Sequence, residues 1–268
     1  MDDSRESYSI GRGETSQERE AVRLGHLTRQ RDPRTRSILG GLGVGPGWVC
    51  LEAGAGSGSI SRWLADRVLP GGRVLSADID LRFHCDPAPG LEVRHMDVRS
   101  DSLGTGTFDL VHARALLQHL PQREEVLDRF VDCLRPGGWL VIEDSDWAIF
   151  EAQTLPEPLA EVVRLIQEGG RARWNWDTSL ARRLPGLFAQ RGLVDIDVSG
   201  EVWTMRGGED SGEWYFLAIE EAAGAMIENG LVTREEIDEA LRIARSSGLV
   251  MVSPLSMTVV GRLPSATS

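Results

Sequence analysis

Val49-Cys50-Leu51-Glu52-Ala53-Gly54-Ala55-Gly56-Ser57-Gly58-Ser59-Ile60 is the stretch from which the rest of the chain is read. An apolar run of strand type ends in an acidic residue and a glycine-rich turn. A helical pattern from Ile60 to Val68 follows at once. Strand, turn and helix in this order open a nucleotide-binding α/β unit, in which glycines let the backbone come close to a ligand. The glycines are spaced G-x-G-x-G, at Gly54, Gly56 and Gly58. A dinucleotide fingerprint needs its third glycine one place later, where this chain has Ser59. A P-loop is excluded as well, because no Gly-Lys-[Ser/Thr] follows and all 29 basic residues are arginine.

The order of the later pieces narrows the fold. Arg73-Val74-Leu75-Ser76-Ala77-Asp78 reads as a second strand ending in an acid, about twenty residues on, where a carboxylate can take both ribose hydroxyls. Leu91 to Val98 is a third strand with Asp97 near its end, and Phe108 to Ala113 a fourth. Leu134 to Asp144 contains a helix end, a Pro136-Gly137-Gly138 turn and a fifth strand.

This ordered set is E-x-G-x-G-x-G, S-A-D-I-D, H-M-D-V, F-D-L-V-H-A-R and L-R-P-G-G-W-L-V-I-E-D. It closely resembles class I S-adenosylmethionine-dependent methyltransferases, strongly over residues 35–150 and weakly over 178–263. The resemblance implies a seven-stranded, Rossmann-like α/β sheet with helices on both faces and S-adenosylmethionine as cofactor. It also implies site roles. Gly54, Ala55, Gly56 and Gly58 bring backbone to the methionine part, and Glu52 orients that turn. Asp78, followed by Ile79, holds the ribose hydroxyls. Asp97 accepts from the adenine amino group, with Val98 beside the ring. Ala113 and Arg114 meet the methionine tail through their backbone. An NAD-linked dehydrogenase is disfavoured by Ser59 and by the order of the later motifs.

At 268 residues the chain fits one enlarged α/β domain, with 41% hydrophobic and 26% charged residues, enough for a real core. A formal charge of −12 makes nucleic acid an unfavourable acceptor, because phosphate backbones demand clustered positive charge. Apolar runs are of strand length, so no membrane span is expected. The polar opening Met1-Asp2-Asp3-Ser4-Arg5-Glu6 does not read as an export leader, and a cytoplasmic location is expected. Cys50, Cys85 and Cys133 form no C-x-x-C pair and read as reduced thiols. No H-x-x-x-H or C-x-x-C cluster indicates a metal.

Along the chain, residues 1–34 read as an N-terminal helical lid, with Tyr8 suited to closing over a bound cofactor. Thr15 to Gln30 forms one helix, and Asp32-Pro33 caps a second that runs to Gly40-Gly41. Residues 35–150 form the cofactor-binding core. The crossover between Asp78 and Leu91 is short and broken by Asp86-Pro87 and Pro89-Gly90. Leu159 to Gln167 is helical and ends at Gly169-Gly170. Leu193 to Thr204 alternates like a sixth strand, and Pro254 to Leu263 supplies the seventh. Two helices (about 211–229, and 233–246 capped by Thr233 with Glu236) are inserted between them. The segments 151–177 and 205–250 are expected to form a substrate cap, all within one domain, 1–268.

Methyl transfer from a sulfonium is an in-line displacement, so the protein's task is binding, orientation and exclusion of water. His119, in Leu116-Leu117-Gln118-His119-Leu120-Pro121, is the candidate general base. It follows the fourth strand at the carboxyl edge, and a neutral imidazole can take a proton from a hydroxyl or amine. His26, His84, His95 and His112 read as structural. Asp144 at the end of strand five, with Trp147, Trp174, Trp176 and Trp214, is expected to line an apolar, ring-accepting pocket. The expected function is methylation of O or N, or C, on a small aromatic or polycyclic metabolite of natural-product type, by a monomer or homodimer. Alternatives are a peptide or protein side-chain methyltransferase and a non-catalytic cofactor-binding protein.

Overall fold

Val49-Cys50-Leu51-Glu52-Ala53 forms a strand buried along its whole length, as the centre of a parallel sheet covered on both faces requires. In the computed structural model, which describes residues 14–265, the elements run as follows. First come α1 (Glu14–Gly41), β1 (Val49–Ala53), α2 (Ser59–Val68), β2 (Arg73–Asp78), β3 (Leu91–His95) and β4 (Phe108–Arg114). After a 3-10 turn at Leu117–His119 come α3 (Arg123–Cys133), β5 (Leu134–Asp146), α4 (Ala148–Glu151), α5 (Leu159–Trp174) and α6 (Leu180–Gln190). The chain continues through β6 (Val194–Glu201), β7 (Thr204–Arg206), α7 (Asp210–Glu228), α8 (Arg234–Ala244), β8 (Val250–Val252) and β9 (Leu255–Arg262).

The chain divides into two compact units. The larger takes residues 31–147, 174–201 and those from 255 onward. It holds a seven-stranded sheet in the order β3-β2-β1-β4-β5-β9-β6. Strands β1 to β5 pair in parallel, and β9 lies antiparallel between β5 and β6. One face is filled by Leu39, Ile60, Leu64, Val68, Leu110 and Val141. The other is filled by Val111, Leu127, Phe130, Leu140, Leu184 and Phe188. Helix α2 buries Ile60, Leu64 and Val68, residues spaced so that they share one face.

The smaller unit comprises the described residues up to Gln30, with 148–173 and 202–254. Its core includes Phe150, Trp214, Tyr215, Phe216, Ile237 and Met251. Helix α8 starts on the expected capping box. Thr233 Oγ1 accepts from Glu236 N, and Glu236 accepts from Thr233 N.

Four local expectations change. Asp32-Pro33 starts no second helix, because α1 runs unbroken through Pro33. The Asp32 carboxylate accepts from Arg36 and Arg114 instead of capping a helix. Helix α5 continues past Gly169-Gly170 to Trp174. The Pro136-Gly137-Gly138 turn becomes a bulge at the start of β5, where the register jumps from Phe108↔Leu134 to Leu110↔Trp139. Gly138 fits there because a Cβ would stand 2.9 Å from two carbonyl oxygens. The sixth strand stops at Glu201, and Thr204–Arg206 pairs with β8 in a separate two-stranded sheet. Tyr8 and the start of the lid segment lie outside the described residues.

Candidate active site

The turn after β1 is built from three left-handed residues, Gly54 (φ 68°), Gly56 (φ 54°) and Gly58 (φ 70°). That conformation costs a side-chain-bearing residue roughly 1–2 kcal/mol, so the G-x-G-x-G spacing is a backbone requirement. The amides of Gly54 and Ala55 donate to Ala77 O at 2.8 and 3.2 Å, which pins the turn to β2. No atom lies within 4 Å of where a Gly56 Cβ would stand, so this stretch of backbone is open to a ligand. At Gly58 the side is closed. A Cβ there would come within 2.6 Å of the His84 ring and 2.7 Å of Cys85 Sγ. His84 Nε2 is 2.6 Å from Ser76 Oγ, itself 2.6 Å from Ser61 Oγ, so the helix-free segment after β2 is tied to α2.

Asp78 sits beside the open glycine. Its Oδ2 accepts from Gly56 N at 2.7 Å and its Oδ1 from Asp80 N at 2.9 Å. Burial raises its pKa above the ordinary carboxylate value against the pull of those two donors. Ile79 is 37% exposed, a large apolar side chain of the kind a ring would cover. Asp97 is gripped by Arg99, whose Nε and Nη2 donate at 2.9 and 2.8 Å and hold its pKa below the ordinary value. Val98 is buried beside it.

At the end of β4, Ala113 lies in register with Ala53. The Arg114 side chain turns to α1, donating to Thr35 Oγ1 at 3.0 Å and to Asp32 Oδ1 at 2.9 Å. Leu116 packs on the glycine turn, since a Cβ on Gly54 would stand 3.0 Å from its Cδ1. The turn carrying His119 therefore leans on the turn carrying Gly54. The His119 ring stacks on Trp176 (centroids 6.0 Å apart, planes at 20°), and Trp147 meets Trp176 edge-on at 4.6 Å. The indole N–H of Trp176 is buried without an acceptor among the described residues.

Asp144 Oδ2 accepts from Gln118 N at 3.2 Å. Burial pushes the Asp144 carboxyl up to about 8, so it is a neutral acid at pH 7. Asp146 on the same face of β5 is paired with Arg182. Trp214 belongs to the smaller unit, packed edge-on against Tyr215. Trp174 ends α5, and its side chain lies outside those described.

Glu52 does not reach into the turn. Its carboxylate lies 2.6 Å from His112 Nδ1, while His112 Nε2 is 2.8 Å from Glu143. Burial alone would lower the His112 pKa, but the two carboxylates outweigh it and raise the value to about 9. Glu143 is moved up by burial and, more strongly in sum, down by His112, Arg114 and Thr35, ending below its ordinary value. His112 is thus a buried imidazolium between two carboxylates. Sequence reasoning passed over Gln118, and it named Glu52 as orienting the turn and His112 as structural without joining them to Glu143. For the triad the signal was an ionisable residue following apolar neighbours in each of three adjacent strands, Cys50-Leu51-Glu52, Leu110-Val111-His112 and Val141-Ile142-Glu143. For Gln118 there was none.

Burial pushes the thiols of Cys50 and Cys133 up, the latter to about 12, so both are inert at neutral pH. Among the described residues no group of three or more His, Cys, Asp or Glu could hold a metal, and no helix is long and apolar enough to cross a membrane.

The strand order, with the last strand of the chain, β9, antiparallel between β5 and β6, and the open glycine turn beside Asp78 define a Rossmann-like methyltransferase fold. Residues 51–142 match the methyltransferase domain family. Methyltransferase str2 of Strobilurus tenacellus is 37% identical over 158 residues, 55% of this chain and 54% of that protein. Trans-aconitate 2-methyltransferase of Deinococcus radiodurans is 32% identical over 178 residues, 61% of this chain and 66% of that protein. The match therefore spans about half of the first relative and about two thirds of the second. A Bacillus halodurans C-125 protein solved as a candidate methyltransferase shares the fold, with TM-score 0.56 at 16% identity over 85% of this chain and 98% of its own. Residues 51–142 thus carry a methyltransferase domain, and in motif order and fold the chain resembles the class I S-adenosylmethionine-dependent methyltransferases.

The residues present fit that cofactor. The backbone at Gly56 is free to approach, a carboxylate stands beside it, and an apolar side chain follows. When bound, S-adenosylmethionine supplies an electrophilic methyl group on a sulfonium.

Proposed function

We propose that this chain transfers a methyl group from S-adenosylmethionine to an oxygen or nitrogen, or an electron-rich ring carbon, of a small aromatic or polycyclic metabolite. The observation that carries this reading is the His119 ring stacked on Trp176, with Trp147 edge-on to Trp176 and the His119 turn leaning on Gly54. Flat indole faces favour a ring-bearing acceptor. An imidazole beside them can take the proton that a hydroxyl or amine releases as its bond to carbon forms. In this reading Asp78 holds the ribose hydroxyls with Ile79 alongside, and Asp97 and Val98 receive the adenine. The backbone of Gly54, Ala55, Gly56, Gly58, Ala113 and Arg114 lines the methionine side. Asp144, neutral at pH 7, holds the turn that bears His119. A cytoplasmic small-molecule enzyme of specialised metabolism is the setting that suits an acidic chain with free thiols.

The test is methyl transfer from labelled S-adenosylmethionine to a panel of phenols, aromatic amines, indoles, tricarboxylic acids and peptides. Asp78→Ala should abolish S-adenosylhomocysteine binding. His119→Ala should slow transfer about a hundredfold while leaving that binding intact. Transfer to peptides or tricarboxylates in preference to aromatics would replace the proposed acceptor class. Full activity of His119→Ala would remove the base.

A further inference from the structure

Gln118 is 4% exposed and precedes His119 in the turn after β4. Its backbone is held at both ends: its N–H donates to Asp144 Oδ2, and its carbonyl accepts from Asp177 N at 2.8 Å. Its side-chain amide is held as well. Oε1 accepts from Ser145 N on β5 at 3.2 Å, and Nε2 is 3.1 Å from His119 Nε2. A backbone N–H can only donate, so the amide must present its oxygen to Ser145 and its NH2 to the imidazole. Turning the amide over would set two donors against each other at Ser145. An NH2 group facing a ring nitrogen can donate only to a lone pair, so His119 Nε2 carries no hydrogen. The neutral ring then holds its proton on Nδ1.

We propose that Gln118 is a positioning residue that fixes His119 in the Nδ1–H tautomer and makes Nε2 the basic nitrogen. This rests on His119 being the base of the reading above. Until an acceptor arrives, the Gln118 amide occupies the lone pair that is to receive the proton. It also opposes the imidazolium, in which Nε2–H would face the amide N–H groups, and so keeps the base neutral. The other ionisable groups on the elements packed round this turn are already committed. Asp144 of β5 is a neutral acid near Arg31. Asp177 is closed by Arg123 of α3 and Arg183 of α6, and Asp146 by Arg182.

The experiment uses full-length protein labelled with 15N-histidine, saturated with S-adenosylhomocysteine. His119→Asn assigns the ring signals, and long-range 1H–15N spectra are followed through a pH titration. The expected result for the parent is the Nδ1–H tautomer. Gln118→Glu offers Nε2–H a carboxylate and should move the His119 midpoint, and the acid limb of the pH–rate profile, up by about one pH unit or more, a tenfold change in proton affinity. Gln118→Met, which keeps the volume without the donor, should move both upward by less. An Nε2–H tautomer in the parent, or an unmoved midpoint in both variants, overturns the proposal. If the midpoints move as expected while His119→Asn keeps full activity, His119 is not the base, although Gln118 still sets its tautomer. If His119→Asn is inactive and the midpoints stay put, the base stands and the role of Gln118 is lost.

Discussion

The imidazole Nδ1 of His112 lies 2.6 Å from the carboxylate of Glu52, the residue beside it in register on the neighbouring strand of the sheet. With Glu143 at 2.8 Å on its other nitrogen, His112 closes a charged bridge across β1, β4 and β5, just before the turns that follow β1 and β4. The row continues toward Thr258 of β9, whose hydroxyl donates to Glu143 at 3.4 Å. Polar groups buried this deeply hold their strands in one register, because removing any member strands its partners.

His112→Gln should lose roughly 3 kcal/mol or more of stability at pH 7, because two buried carboxylates lose their cation. The pH dependence has a definite sign. The folded-state value is raised from 6.5 to about 9, so the stabilisation is full below about pH 6.5 and fades as pH rises through about 9. Urea unfolding at pH 6.5 and 9.5 should show a marked alkaline loss in the parent and a smaller one in the variant. Equal slopes would mean that His112 is neutral in the folded protein.

Asp144 also loses stability as pH rises, through a buried carboxyl and over a lower pH range. Its carboxyl is raised from 3.8 to about 8, so stability is lost as pH climbs from about 4 to about 8, while only the unfolded chain releases the proton. Asp144→Asn keeps an acceptor oxygen for Gln118 N and carries no charge to suppress. It should raise stability at pH 8 by at least about 1 kcal/mol, or several degrees in Tm, and should have little effect at pH 4. Calorimetry at the two pH values decides it, and a destabilised variant at pH 8 would show that the carboxylate form is favoured.

Gly58→Ala places a methyl group 2.6 Å from the His84 ring on a residue at φ 70°. Strain alone costs on the order of 1–3 kcal/mol, and the clash adds to it. Stability should fall by about 2 kcal/mol or more, and S-adenosylhomocysteine affinity should fall with it. Gly56→Ala meets no neighbour, so its loss should appear mainly in ligand affinity measured by titration calorimetry.

Trp176→Ala removes the face on which His119 stacks. The KM for an aromatic acceptor should rise about tenfold, in line with a loss of roughly 1–1.5 kcal/mol of ring contact. S-adenosylhomocysteine affinity should stay as it is. A lowered cofactor affinity with unchanged KM would place Trp176 on the donor side.

The strands and their acids were legible because parallel strands buried on both faces read as apolar runs, and each ends where a loop must begin. The glycine turn was legible for a similar reason: left-handed backbone leaves a mark in residue type. Asp32-Pro33 misled, because proline tolerates a first turn so well that its presence inside a helix is hard to credit. Gly169-Gly170 misled likewise, since packing within the smaller unit outweighed propensity.

Local residue type by itself determined the order of the five parallel strands, the left-handed turn at Gly54 to Gly58 and the carboxylate at Asp78, because each depends on a few neighbouring residues. Only the tertiary structure decided which groups face one another. Glu52, His112 and Glu143 are separated by 60 and 31 residues, and Ser145 reaches the Gln118 amide from 27 residues away. Protonation state and tautomer follow from such pairings, because a proton answers to the charges and hydrogen bonds around it and not to distance along the chain.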